Sequence, residues 1–188
     1  MIRIETVAEF RGVSIPNPQL ATMAKYFDQE HEAFVKGAAL VHRKTVFQVL
    51  TRIIRLCNVD TGRLRGSFTP LMDKWGFKGY EAYMKQPPLA GTTKKAQKRG
   101  YASGQGGGYS EAEVNKGKVL GQFIDAVLNT TITSNVAYAS DVNFKSYFLS
   151  AALIWGDNQY KRNFENYFKA AAKRGWIPEQ NPNEEGEA

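Results

Sequence analysis

The chain has 188 residues, 43% of them hydrophobic and 12% aromatic, with 25 basic against 18 acidic side chains and a net charge of +7. That length suits one domain with appendages, and that apolar content excludes a wholly disordered chain. No apolar run approaches the ~20 residues needed to cross a bilayer, so no membrane partner is expected. The segment Met1-Ile2-Arg3-Ile4-Glu5 lacks the charged-then-apolar layout of a signal peptide, and the single Cys57 has no partner for an internal disulfide. A cytosolic origin is expected from both. The basic balance suits nucleic acid or an acidic protein as a partner.

In chain order, residues 2–10 read as a short strand, with Ile2, Ile4 and Thr6 alternating with charge. Gly12, Pro16 and Pro18 mark a break, and Asn17 followed by Pro18 is a helix start. An apolar stripe then runs at spacings of three and four from Leu20 through Phe27, Phe34, Ala38, Val46, Leu50 and Ile53 to Cys57. It predicts an amphipathic helix of about 40 residues, continuous or bent at Gly37. Cys57 lies on its apolar face and reads as a small buried hydrophobe.

The helix is expected to end near Asn58. Asp60 and Thr61 can bond to nearby backbone amides, and Gly62 gives the freedom to change direction. Residues 66–77, with Phe68, Leu71, Trp75 and Phe77, read as a strand or extended segment. Residues 86–118 carry many glycines, Pro87 and Pro88, and read as a long flexible loop without a core. Order returns with two β-rich stretches, 118–125 and 127–135, forming an antiparallel hairpin with Thr130, Ile132 and Ser134 on one face. Residues 136–156 read as aromatic and irregular. A last helix is expected to start at Asp157 or Asn158 and to show Tyr160, Phe164, Tyr167 and Phe168 on one face, with Gly175 at its stop. The end of the chain is acidic, and a mobile tail is expected over 177–188. The whole predicts one α+β domain over 1–188: a long N-terminal helix, a small antiparallel sheet, and a C-terminal helix packed on the sheet. Tyr138, Phe164, Phe168 and the Val46–Ile53 stripe are the expected core.

Few residues suggest chemistry. His31 and His42 are eleven positions apart, about 16 Å along a helix axis, too far to share a metal. Asp28 and Glu32 are one turn apart with nothing local to join them. Gly104-Gln105-Gly106-Gly107-Gly108 has neither the preceding apolar strand nor the terminal Lys-Ser/Thr of a phosphate loop. Serines, threonines and Cys57 have no companion histidine in a nucleophile motif. No catalytic, cofactor or metal site is therefore expected. The basic cluster Lys94, Lys95, Lys98 and Arg99, beside Tyr101, is a candidate contact for a partner or for DNA phosphates. Residues 85–118 hold seven basic and two acidic side chains, and the acidic tail could meet this loop between subunits.

Two short motifs are the most telling. Val59-Asp60-Thr61-Gly62-Arg63-Leu64-Arg65-Gly66-Ser67 follows the long helix, and Asn135-Val136-Ala137-Tyr138-Ala139 follows the hairpin. Their order resembles the tail-completion or neck (head–tail joining) proteins of tailed bacteriophages. Those carry DTG-x-L-x-x-S after a long helix, a strand leading into N-x-x-Y-A, and a C-terminal helix. The likeness covers roughly residues 20–175 and is close at the two motifs alone. Tyr138-Ala139 is followed by Ser140-Asp141-Val142-Asn143-Phe144 rather than by the Glu-Gly-Thr turn common in that family.

The resemblance implies a non-enzymatic virion protein, made in the host cytoplasm and placed at the head–tail interface. It implies a ring, commonly six-fold, that meets the head connector or stopper on one side and the tail terminator or tail tube on the other, close to packaged DNA. It implies no cofactor. Tail terminators and head-closure proteins are alternatives within the class. In that setting Asp60, Thr61, Gly62 and Leu64 form a structural turn, and Arg63 and Arg65 are expected to present charge to a neighbour. The other reading is a soluble nucleic-acid-binding protein that uses the basic loop 94–101.

Overall fold

The computed structural model describes residues 7–10, 13–16, 18–89 and 109–173, with side chains from Asp28 onward. The fold is α+β. In chain order it has β1 (Val7–Phe10), β2 (Val13–Pro16), α1 (Pro18–Leu56), α2 (Arg63–Gly66), α3 (Pro70–Lys74), α4 (Glu81–Met84), α5 (Glu111–Val119), β3 (Gly121–Asp125), β4 (Thr130–Ser134), α6 (Ala139–Ser146) and α7 (Phe148–Lys173). Both strand pairs are antiparallel, β1 with β2 and β3 with β4.

The chain divides into two compact units, residues 1–41 with 164–188, and residues 42–163. In the first unit, α1 runs through Gly37 without a break. A Cβ built at Gly37 would stand 2.5 Å from Cε1 of Tyr167. The glycine therefore makes room for a ring on α7 and does not bend the helix. Phe34 packs against Phe168 at 4.9 Å between centroids and against Phe164 at 6.5 Å, an aromatic cluster of offset and edge contacts.

The second unit holds the main core. Leu50, Ile53, Ile54 and Cys57 of α1 meet Leu64, Phe68, Leu71, Met72, Tyr80, Met84, Val114, Val136, Phe148 and Ala152. The α1 stripe packs as its spacing predicts. Tyr138 is exposed rather than core, and Val46 and Val49 are half-buried. Helix α7 packs against α1: Val49 closes on Gly156, and the buried Asn163 amide donates to Thr45 Oγ1 (3.0 Å) and Gln48 Oε1 (2.8 Å).

Three expectations change here. Residues 66–77 are not extended. They fold into α2 and α3, with Pro70 at the first turn of α3. The last helix starts at Phe148, nine residues before Asp157, and takes in part of a stretch read as irregular. Tyr147 adopts the left-handed conformation (φ 51°) and ends α6, while Asn143 Oδ1 accepts the Leu149 amide and starts α7. The end of the supposed loop 86–118 is also ordered. Ser110 caps α5 by accepting the Glu113 amide, and Val114 enters the core. The basic cluster Lys94, Lys95, Lys98 and Arg99 and the acidic tail 177–188 lie outside the described residues.

Candidate functional site

The two motifs meet in space. Helix α1 ends, and Gly62 turns the chain with φ 90°, a conformation that a β-branched residue resists. The six residues Leu64 to Thr69 are all buried. The Ser67 hydroxyl donates to Leu64 O (2.8 Å) and lies 2.7 Å from the Ser134 hydroxyl at the end of β4. From there the chain runs through Asn135, whose amide donates to Leu120 O (2.9 Å), and buries Val136 in the core. Tyr138 returns to the turn and lines one groove with Thr61 and Arg63. Burial is the main cause of a raised Tyr138 pKa, and the nearby Arg63 guanidinium opposes it. Asp60, Thr61, Gly62, Arg63, Tyr138, Val142 and Lys145 thus share one groove of about 660 Å³.

Arg65 is not on the surface. Its side chain is wholly buried. The guanidinium donates to four backbone carbonyls, those of Cys57 (3.3 and 3.4 Å), Tyr83 (3.2 Å), Met84 (3.0 Å) and Gln86 (2.6 Å). The expectation that Arg65 offers charge to a neighbour is therefore overturned. Its planar fork of donors is needed at a point where the end of α1 and the end of α4 bring carbonyls together inside the protein. Arg63 points the other way and binds Glu113 through Nε at 2.6 Å and through Nη2. Lys116, 2.8 Å from the same carboxylate, and Arg63 hold the Glu113 carboxyl below its ordinary value.

Helices α2 and α5 come into backbone contact at two glycines. A Cβ at Gly66 would land on the Val114 carbonyl, and one at Gly117 on the Arg63 carbonyl. Gly66 of the first motif is thus half of a glycine–glycine crossing whose other half, Gly117, was read as loop. The signal that could have found it is Ser110-Glu111-Ala112-Glu113, the spacing of a capping box. The Thr61 carbonyl accepts the Ser110 amide at 3.0 Å, which ties the start of α5 to the turn.

A second groove, about 760 Å³ and mostly apolar, lies between α1, β4, α6 and α7. Val49, Ile53, Ile132, Leu149, Leu153 and Tyr160 are among its lining residues. Beyond it the β3–β4 turn carries Val127 and Leu128, 62% and 53% exposed, and Ile124 nearby is 70% exposed. Val119, Phe144, Tyr147, Leu153 and Ile154 are also exposed. Among the described residues no group of three or more His, Cys, Asp or Glu side chains is placed to hold a metal, and no helix is long and apolar enough to cross a membrane. Comparison with family models, with curated proteins and with solved structures gives no match to this chain in any of the three.

Proposed function

We propose that the protein is a structural component of a tailed-bacteriophage neck, acting as a tail-completion or head–tail joining ring. The observation that carries this reading is the convergence of the two motifs on which the resemblance rests. Asp60–Ser67 and Ser134–Tyr138 come from segments some seventy residues apart and form one node, joined by the hydrogen bond between the Ser67 and Ser134 hydroxyls and by a shared groove. A motif whose side chains tie the fold together suits an assembly part. The exposed apolar side chains of the hairpin and of α6–α7 are consistent with the same reading, since they are open for contact with other chains.

On this reading the work is mechanical. Copies of the protein close a ring, one face of which meets the head connector or stopper and the other the tail terminator or tail tube. No cofactor and no catalytic residue takes part. The test is immunogold electron microscopy of particles and free tails with antibody against the protein. Gold at the head–tail junction or at the upper end of free tails is the expected result. Its absence, with epitope access shown in a control, refutes the neck reading. Salt-sensitive DNA binding lost on neutralising Lys94, Lys95, Lys98 and Arg99 would then favour the nucleic-acid reading.

A further inference from the structure

A further hollow, about 370 Å³, lies between α1, the α3–α4 connection, α4 and α7. It shares no lining residue with either groove described above. Its walls are aromatic, from Phe47, Tyr83 and Trp155, and the exposed Lys78 stands at its edge. No acidic side chain lines it. Glu81, close by in sequence, lines a separate hollow with Tyr80 and Met84, and Asp157 is taken by Lys161.

Two arginines are poised at the aromatic walls. Arg52 Cζ lies 5.6 Å from the Trp155 ring centroid, and Arg55 Cζ lies 5.7 Å from that of Tyr83. A guanidinium held over a ring keeps its in-plane N–H donors for other work. Among the described residues, none of Lys44, Arg52, Arg55 and Lys78 pairs with a carboxylate. The Arg52 Nε–H and the Thr51 hydroxyl, adjacent on α1, are buried and have no hydrogen-bond partner among the described residues. Buried donors are nearly always satisfied. Unspent donors beside a hollow that has cations and no acid fit an anion.

The rings decide which anion. A carboxylate or a free phosphate has no flat face to lay on them, whereas every nucleobase has one. We propose that the hollow takes one unpaired base of a single-stranded nucleic acid, with the flanking phosphates on Arg52, Arg55 and Lys78. The volume agrees, since ligand pockets start at about 300 Å³ and this one has room for little more than a nucleotide. Lys44, Gln48, Thr51 and Arg55 stand at spacings of four, three and four, one face of α1. That face carries cations over about 16 Å of helix, along which a strand can continue. The site is separate from the basic cluster Lys94, Lys95, Lys98 and Arg99, and the inference does not rest on the neck reading.

The experiment uses the full chain and three fluorescent probes: a short oligodeoxythymidine, a duplex of equal length, and a polyglutamate peptide of equal charge. Anisotropy titrations at several salt concentrations give Kd. The oligodeoxythymidine is expected to bind about tenfold or more tightly than either of the others. Binding should quench tryptophan fluorescence in the wild type and much less in Trp155→Phe, because Trp155 lines the hollow. The double variant Arg52→Gln, Arg55→Gln should lose about tenfold in affinity, and its salt dependence on a log–log plot should flatten by roughly 0.7 for each phosphate contact removed. Circular dichroism is the folding control. Lys78→Glu changes an exposed position and should weaken binding in the same way, so the test stands even where the arginine variant misfolds. A folded wild type that binds no probe at low salt overturns the site. So does a duplex or peptide bound as tightly as the oligodeoxythymidine, or quenching unchanged in Trp155→Phe. Binding that survives Lys78→Glu and falls when Lys94, Lys95, Lys98 and Arg99 are neutralised also overturns it. None of these outcomes bears on the neck reading, which the gold labelling decides.

Discussion

Arg65→Met tests whether the centre of the first motif is structural. Methionine fills much of the arginine volume and donates no hydrogen bond, so the change isolates the donors. Four carbonyls, of Cys57, Tyr83, Met84 and Gln86, lose the guanidinium. The Tyr83 carbonyl keeps the Gln86 amide at 3.3 Å, which softens its loss. A hydrogen bond to a charged group contributes about 1.5–3 kcal/mol, and a buried acceptor left without a donor costs about 1–3 kcal/mol. Against this, the fold no longer has to desolvate a guanidinium, which by itself costs several kcal/mol. The balance is a loss of about 3–5 kcal/mol, a large part of the roughly 5–15 kcal/mol by which domains are stable. For a chain of this length it lowers Tm by roughly 10 °C or more. Urea unfolding followed by tryptophan fluorescence and circular dichroism measures it. Arg65→Lys keeps the charge and loses the fork, so it should fall between wild type and Arg65→Met. A loss below about 1 kcal/mol for Arg65→Met would show that the carbonyls find other donors, and the cage argument would fail.

The other predictions concern neighbouring parts of the same node. Gly66→Ala and Gly117→Ala each drive a methyl group into a backbone carbonyl that has no room to yield, and should each cost about 2–3 kcal/mol or more. Gly76→Ala meets open space and carries only the strain of φ 68°, about 1–2 kcal/mol; the reverse ranking in the urea titration would sink the crossing argument. Gly62→Val combines φ 90° with a contact at 2.9 Å to Val114 Cγ2 and should impair folding or assembly. Cys57 should resist a thiol reagent at pH 8 until urea is added. Its folded pKa, about 12, is raised above its unfolded value, so its contribution is complete below about pH 8.5 and is lost as pH climbs towards 12. His42 shows the opposite sign. Burial lowers its pKa, against the pull of Asp125, so its contribution is present above about pH 6.5 and fades as pH falls through the folded value. Subtracting the Tm-against-pH curve of His42→Gln from that of the wild type should leave a slope on the acid side, and a flat difference would refute this.

What could be read from the sequence was what depends on period. The α1 stripe placed a helix of nearly the observed length, because three- and four-residue spacing needs no partner to be seen. The alternation of Thr130, Ile132 and Ser134 placed β4 for the same reason. The misreadings share a different cause. Gly117 lies in the stretch read as loop and Gly156 in the stretch read as irregular, yet each is a helical residue at which another element comes close: the Arg63 carbonyl and Val49. Composition counts glycine as a helix breaker, while packing uses it as the residue that lets two elements touch. Arg65 was misplaced for a related reason. A basic side chain is on the surface unless something inside needs its donors, and the four carbonyls that need them come from two separate stretches of chain, Cys57 and residues 83–86.

The same contacts bear on the assembly role proposed above. A docking surface gains affinity when it is rigid before contact, since less freedom is lost on binding. The hairpin that offers Val127 and Leu128 is tied at its closed end to Trp75, Lys74 and His42, and at its open end to Ser67 and Leu120. Ser67 sits within the segment that Arg65 and the Gly66–Gly117 crossing hold in place. A substitution at Arg65 or Gly66 should therefore weaken association between copies at concentrations where each copy is still folded. Measuring association and urea stability on the same samples separates a node that acts through position from one that acts through stability alone.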